Sequence, residues 1–306
     1  MLGVSFQQYA APVFRRCMHI AQQQAHNKQQ EAAGAAGAPE YDPDFMVCAL
    51  DVVSSLVEGL GTSMESLAEQ ANLRELVFLA AADESPEVRQ SAFALMGDLA
   101  KACPSHLMPV LQRCFEACAA LLQHEQLCDR FVRAGTNACW SIGELALRAP
   151  DEDMARFALP LLQCLAPVLS MRIMGGGKGM VENVGISLGR LALRCPEPLV
   201  PHLQGFVAPW CLALRRVRDG MEKEQAFSGL CALVQRNPMA ALPAFVPLAN
   251  AFSSWRTLNN EALHRHMAEI VRGYKAHLPS ETWQQAWGSL EPAVQEKLKT
   301  WFLDGA

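Results

Sequence analysis

The chain has 306 residues, 51% of them hydrophobic, which supplies a large core and excludes a disordered polymer. A net charge of −5, with 26 Lys and Arg against 31 Asp and Glu, argues against a nucleic-acid partner held mainly through phosphates. Eleven cysteines are scattered through apolar runs, with neither Cys-x-x-Cys nor zinc-type spacing, and read as buried reduced thiols of the cytosol or nucleus. No uninterrupted apolar run reaches the roughly 18 residues of a membrane span, so no membrane partner is expected.

In chain order, residues 5–25 read as a repeat helix; Arg15, Arg16 and the lack of acids before Glu31 leave a transit peptide as the second reading. Residues 26–43, rich in Gln, Ala and Gly and ending Pro-Glu-Tyr-Asp-Pro, read as a flexible insertion within this first repeat. Asp42 to Gly61 then gives a partner helix. Beyond it the chain repeats itself. Ser91-Ala-Phe-Ala-Leu-Met-Gly-Asp-Leu-Ala-Lys-Ala-Cys-Pro104, Asn137-Ala-Cys-Trp-Ser-Ile-Gly-Glu-Leu-Ala-Leu-Arg-Ala-Pro150 and Asn183-Val-Gly-Ile-Ser-Leu-Gly-Arg-Leu-Ala-Leu-Arg-Cys-Pro196 close on prolines 46 residues apart, and a weaker copy, Gln225 to Pro238, follows after 42. A period of about 40–47 residues belongs to HEAT and armadillo arrays.

Each unit reads as two helices. The first carries a proline near its start (Pro109, Pro160, Pro201, Pro243), where a missing N–H is tolerated, and the second carries the repeated string. Residues 239–254 and 258–276 form a further pair, and 280–306 a C-terminal cap with Trp283, Trp287 and Trp301. The expected fold is all-α: one HEAT-repeat α-solenoid over residues 1–306, a right-handed superhelical array of about six to seven antiparallel helix pairs. The start shows no cap, which points to repeats ahead of it, or else to self-association through that end.

Helical phase marks a surface. At roughly 100° per residue, Ala138, Ile142 and Leu145 form a core stripe, and Asn137, Ser141, Glu144 and Arg148 a polar one. Trp140 falls on the side away from the core. Equivalent positions in the five second helices (Asp51/Ser54/Glu58, Ser91/Ala94/Asp98, Asn137/Trp140/Glu144, Asn183/Ile186/Arg190, Gln225/Ser228/Ala232) make a ladder in which acids grade into an apolar patch. Such a track suits an extended peptide with basic and hydrophobic parts: carboxylates take Lys or Arg, Trp140 and Ile186 anchor, and asparagine amides hold backbone. A solvated face with ordinary charges is the blander reading.

Little catalytic chemistry is in view. Gly175-Gly-Gly-Lys-Gly179 fails as a phosphate loop, because Arg172 stands at the first glycine and Gly179 follows the lysine; it reads as an inter-helix loop. The eight histidines are dispersed, no nucleophile–base pair stands out, and neither enzyme activity, cofactor nor metal is expected.

From about Tyr9 to Phe302, outside the insertion, the chain resembles the C-terminal third of the transportin (karyopherin-β2) family within the importin-β superfamily. The resemblance is carried by Asp44-Phe-Met-Val-Cys-Ala-Leu-Asp51, Pro86-Glu-Val-Arg-Gln-Ser-Ala-Phe-Ala-Leu-Met-Gly-Asp98, Asn137-Ala-Cys-Trp-Ser-Ile-Gly-Glu144, Glu182-Asn-Val-Gly-Ile-Ser-Leu-Gly-Arg190 and Pro209-Trp-Cys-Leu-Ala-Leu-Arg215. It implies nuclear import of cargo bearing a proline-tyrosine nuclear localisation signal, shuttling between cytoplasm and nucleus, with Ran GTPase and nucleoporins as partners. It also implies that the basic or hydrophobic part of the signal lies on a concave face. The positions that look like signal contacts are Asp51, Glu58, Gln90, Asp98, Val132, Asn137, Trp140, Asn183 and Ile186, to which the ladder adds Glu144; Gln90 and Val132 rest on resemblance alone. Val132 replaces the family's usual isoleucine and Thr136 an asparagine. The family's Ran-binding repeats, acidic loop and dipeptide pocket belong to repeats before this chain begins. A HEAT scaffold subunit, for example of phosphatase type, is the alternative.

Overall fold

The structure, a computed structural model, describes residues 6–35, 37, 39–123, 125, 127, 129–171 and 177–304. All regular structure among them is helical. The chain is an all-α HEAT-repeat protein that divides into two compact units, Met1–Ala149 with Ile173–Met180, and Pro150–Arg172 with Val181–Ala306.

In the first unit the helices are α1 (Gln7–Ala32), α2 (Pro43–Leu60), α3 (Glu65–Gln70), α4 (Leu73–Ala81), α5 (Pro86–Ala102), α6 (Pro104–Leu107), α7 (Leu111–Leu122) and α8 (Val132–Arg148). α1 packs on α2, α4 on α5 and α7 on α8, while α2, α5 and α8 stack on one another. Sequence sets these bounds. Ser85 accepts the amide of Val88 at 3.3 Å ahead of Pro86 at the first helical position, and the chain leaves α5 at Cys103 and Pro104. Asp42 likewise caps α2 through the amide of Asp44 at 2.9 Å, ahead of Pro43.

The segment Pro43–Gln70 is long and apolar enough to cross a membrane by length and composition. Its apolarity has a place in the core: α2 sits between α1 and α5 and buries Met46, Ala49, Leu50, Val53, Leu56 and Val57. α1 runs on through Ala32, so the first residues of the expected insertion are helical. The far side of that excursion is tied to the repeat behind it. Buried Asp83 accepts from Lys28 Nζ at 2.9 Å, from the Tyr41 hydroxyl at 2.7 Å and from the Ser85 amide at 2.8 Å. Gln24 Oε1 accepts from the amide of Asp42 at 2.9 Å. A helix with no apolar periodicity of its own past residue 25 is thus held by long-range polar bonds, which is why pattern alone ends it early.

The second unit contains α9 (Asp151–Leu165), most of α10 (Lys178–Arg194), α11 (Leu203–Leu214), α12 (Met221–Arg236), α13 (Pro238–Ala241), α14 (Phe245–Ser253), α15 (Glu261–His277), α16 (Ser280–Gly288) and α17 (Pro292–Leu298), followed by one π-helical turn over Lys299–Leu303. α11 packs on α14, α12 on α15, and α14 on α17. α10 and α12 approach to backbone contact: a Cβ on Gly229 would lie 1.9 Å from the carbonyl oxygen of Gly189. Of the four prolines expected near helix starts, Pro109, Pro201 and Pro243 lie in short 3₁₀ turns that lead into α7, α11 and α14. Pro160 instead sits inside α9, whose acidic first turn of Asp151, Glu152 and Asp153 complements the helix dipole. In the glycine-rich segment, Arg172 to Gly176 lie outside the described residues, and Lys178 and Gly179 open α10.

Candidate functional site: an acidic helix face in the first unit

Eight of the ten residues singled out from the sequence come together on α2, α5 and α8. Asp51 and Glu58 are exposed one above the other on α2, Gln90 and Asp98 half-buried on α5, and Val132, Asn137, Trp140 and Glu144 lie on α8. Side chains of α8 grip the backbone of α5. Asn137 Nδ2 donates to the Gln90 carbonyl at 2.9 Å, and Ser141 Oγ to that of Phe93 at 2.6 Å. The Trp140 ring packs on Gly97, close enough that a Cβ there would meet its Cζ3 at 2.1 Å.

Electrostatically the face is acidic. The Ser54 hydroxyl donates to the Asp98 carboxylate, and no cation forms an ion pair with Asp51, Glu58 or Asp98 among the described residues. Burial raises the Asp98 pKa above the ordinary aspartate value; the Ser54 hydrogen bond opposes the rise, nearby Glu58 and Glu144 add to it, and Lys101 opposes it. An acid whose charge is disfavoured this way gains most from a cation brought by a ligand.

Three of these positions are more enclosed than an open surface contact. Glu144 is only 4% exposed, and its carboxylate accepts from Arg148 Nη1 at 2.7 Å, so it enters the face as one half of an ion pair. Val132 is 7% exposed. Trp140, placed away from its own helix's core stripe, is half covered by the helix of the preceding repeat. Phase describes a helix about its own axis; cover from a neighbouring helix is invisible to it. Conversely, the sequence reading missed Ser54 as the partner of Asp98 and Gly97 as the seat of Trp140, although the glycine recurs in every strong copy of the repeated string.

Asn183 and Ile186 lie on α10 in the second unit. Ile186 is 4% exposed, which leaves little of it as a surface anchor. Beside them Arg190, also buried, donates from Nε to Gln225 at 2.9 Å and from Nη2 to Glu222 at 3.2 Å, binding α10 to α12. Among the described residues no group of three His, Cys, Asp or Glu could hold a metal ion.

No family model matches the chain. Known proteins do. It is 42% identical over 297 residues to Transportin-1 of Oryza sativa subsp. japonica, covering 97% of this chain and 33% of that protein. It is 33% identical over 306 residues to Transportin-1 of Mus musculus, covering 98% and 32%. It is 38% identical over 210 residues to Importin subunit beta-2 of Schizosaccharomyces pombe, covering 67% and 22%. The chain spans about a third of the length of the curated relatives it matches along nearly all of its own.

Proposed function

Since this chain belongs to the transportin family, matching a third of its relatives' length, we propose that it is a cargo-binding part of a nuclear import receptor working between cytoplasm and nucleus. The ligand is the basic and hydrophobic portion of a proline-tyrosine nuclear localisation signal, bound over α2, α5 and α8. The observation that carries this reading is the group of unpaired acids, Asp51, Glu58 and Asp98, with Asp98 held in a setting that disfavours its charge.

Each residue has a role in that reading. Asp51, Glu58 and Asp98 take Lys or Arg side chains of the signal through charge-assisted hydrogen bonds. Trp140, fixed on Gly97, offers the open part of its indole to an apolar side chain or to a guanidinium. Asn137 spends one Nδ2 hydrogen on the Gln90 carbonyl, which leaves its second Nδ2 hydrogen to meet a peptide carbonyl and its side-chain oxygen to meet a peptide N–H. Val132 and Glu144 support the face from within. Asn183 and Ile186, like partnership with Ran and nucleoporins, rest on family resemblance.

Fluorescence titration with a labelled basic-hydrophobic signal peptide tests the proposal. Trp140→Ala and the double variant Glu58→Gln/Asp98→Asn should each weaken binding by about tenfold, roughly 1.4 kcal/mol. The acid variants lose no ion pair within the protein, so their fold should persist. Unchanged affinity in both would overturn the assignment.

A further inference from the structure

We propose that a basic cleft in the second unit, between the turn joining α11 to α12 and the segment after α14, binds a compact ligand bearing clustered phosphates. The cleft is about 410 Å³ and is lined by Arg215, Arg216, Val217, Arg218, Asp219, Lys223, Ser254 and Arg256. All four arginines are exposed, and none of their side chains has a hydrogen bond or ion pair among the described residues. In a chain of net charge −5, this is a concentrated positive field whose four guanidiniums have no ion-pair partner among the described residues.

The acid inside the cleft, Asp219, is paired with Lys223, so these two charges offset each other and the four arginines remain in excess. Asp219 Oδ1 accepts from Lys223 Nζ at 2.9 Å, and Oδ2 accepts from the backbone amides of Arg256 at 2.8 Å and Thr257 at 3.3 Å. The acids just beyond are engaged as well, Glu222 with Arg190 and Glu224 with Asn260 Nδ2 at 2.9 Å. Asp219 also has a mechanical part. It clips the 215–219 turn to the 256–257 backbone, and Lys223, 1% exposed and lying 4.6 Å over the Trp255 ring, anchors the clip in the core. The backbones that carry arginines on the two sides of the cleft are thereby held in register before any ligand arrives, which lowers the ordering cost of binding.

The chemistry of the lining selects the ligand. Guanidinium forks match phosphate oxygens two at a time, and four of them around one small space suit several phosphates on a compact frame. Val217 is the one apolar side chain in the lining, and it is buried, so the cleft lacks the apolar pocket by which a peptide side chain would anchor. An inositol polyphosphate meets this description, either free or as the headgroup of a phosphoinositide.

Calorimetric titration of the whole chain with inositol hexakisphosphate provides the test, with vesicles of phosphatidylcholine containing a bisphosphorylated phosphoinositide as a second arm and hexaglutamate as a third. The expected result is saturable binding of a phosphate probe that weakens as salt rises. Arg215→Gln/Arg218→Gln and Arg256→Gln should lower affinity at least tenfold. Arg265→Gln/Lys275→Gln, which removes two exposed cations of α15, should leave it unchanged. Binding of the soluble compound alone assigns a free ligand, and binding that requires the vesicle assigns a lipid headgroup; both support the site. Absence of binding to either phosphate probe, equal loss in the α15 control, or equally tight binding of hexaglutamate would overturn it. The cleft variants should leave signal-peptide binding intact, so failure here is distinct from failure of the import reading.

Discussion

Asp98 shows how one side chain is held between two demands. Its carboxylate is largely enclosed, keeps one hydrogen bond from Ser54 and stands near two further acids, so the folded protein holds its proton more tightly than the unfolded chain does. The sign follows: the stabilising contribution is fully present below the unfolded pKa, and it is lost as pH rises through the higher folded pKa. Asp98→Asn, which can still accept from Ser54, should therefore raise the urea midpoint at neutral pH. Its advantage should shrink as pH falls toward the ordinary aspartate value of 3.8. Equal midpoints at pH 7, or a gap indifferent to pH, would contradict this account. Under the proposed function the same substitution should weaken binding of a basic peptide, in which case the residue would give up stability to favour binding. The sequence makes half of this legible: spacing puts Glu58, Asp98 and Glu144 on one phase. It does not show that Glu144 is paired with Arg148 while Asp98 lacks a cation, because that depends on which rotamers the stacked helices admit.

Among the elements, the second helices owe their close stacking to glycines of the repeated string. Gly97 in α5 receives the Trp140 ring of α8, and Gly189 in α10 receives α12, where a Cβ would come within 2.3 Å of the Ala226 Cα. The two contacts differ in what must yield. At Gly97 the obstacle is a side chain; at Gly189 and Gly229 it is backbone. Gly97→Ala should cost about 1–3 kcal/mol, offset in part by the roughly 1 kcal/mol better helix propensity of alanine, and should shift Trp140 fluorescence. Gly229→Ala should be the more destabilising of the two by urea denaturation, because its Cβ would lie 1.9 Å from a carbonyl oxygen that no rotamer change removes. A milder effect at Gly229 than at Gly97 would refute the backbone argument. The recurrence of glycine is plain in the sequence, but periodicity reports only that a position is shared. Its reason appears when the next helix is laid against it.

At the scale of the molecule, the 46-residue recurrence is enough to read the helix pairs and the all-α class, since a repeat that cannot bury its apolar face alone must stack. The division into two compact units and the full length of α1 are not legible in that way, because both depend on contacts between residues far apart in the chain. The cysteines give a chain-wide test of the packing. None of the ten described ones is in a disulfide, Cys48 is exposed and Cys195 half-buried, while burial pushes the Cys103 thiol up to about 11 and those of Cys114 and Cys164 up to about 12. Thiol labelling at neutral pH, read peptide by peptide by mass spectrometry, should modify Cys48 within minutes and leave Cys114, Cys164, Cys211 and Cys231 to react only as the fold opens. Rapid labelling of those four in native protein would contradict the packing. The grip of α8 on α5 bears on how such a protein changes over time. Asn137 bonds to the carbonyl of residue 90, and every amino acid offers that same oxygen. Gln90 is therefore open to drift: its side chain can be exchanged while that bond between neighbouring repeats stays closed, so under the proposed reading a ligand contact at this position could be retuned with the joint kept.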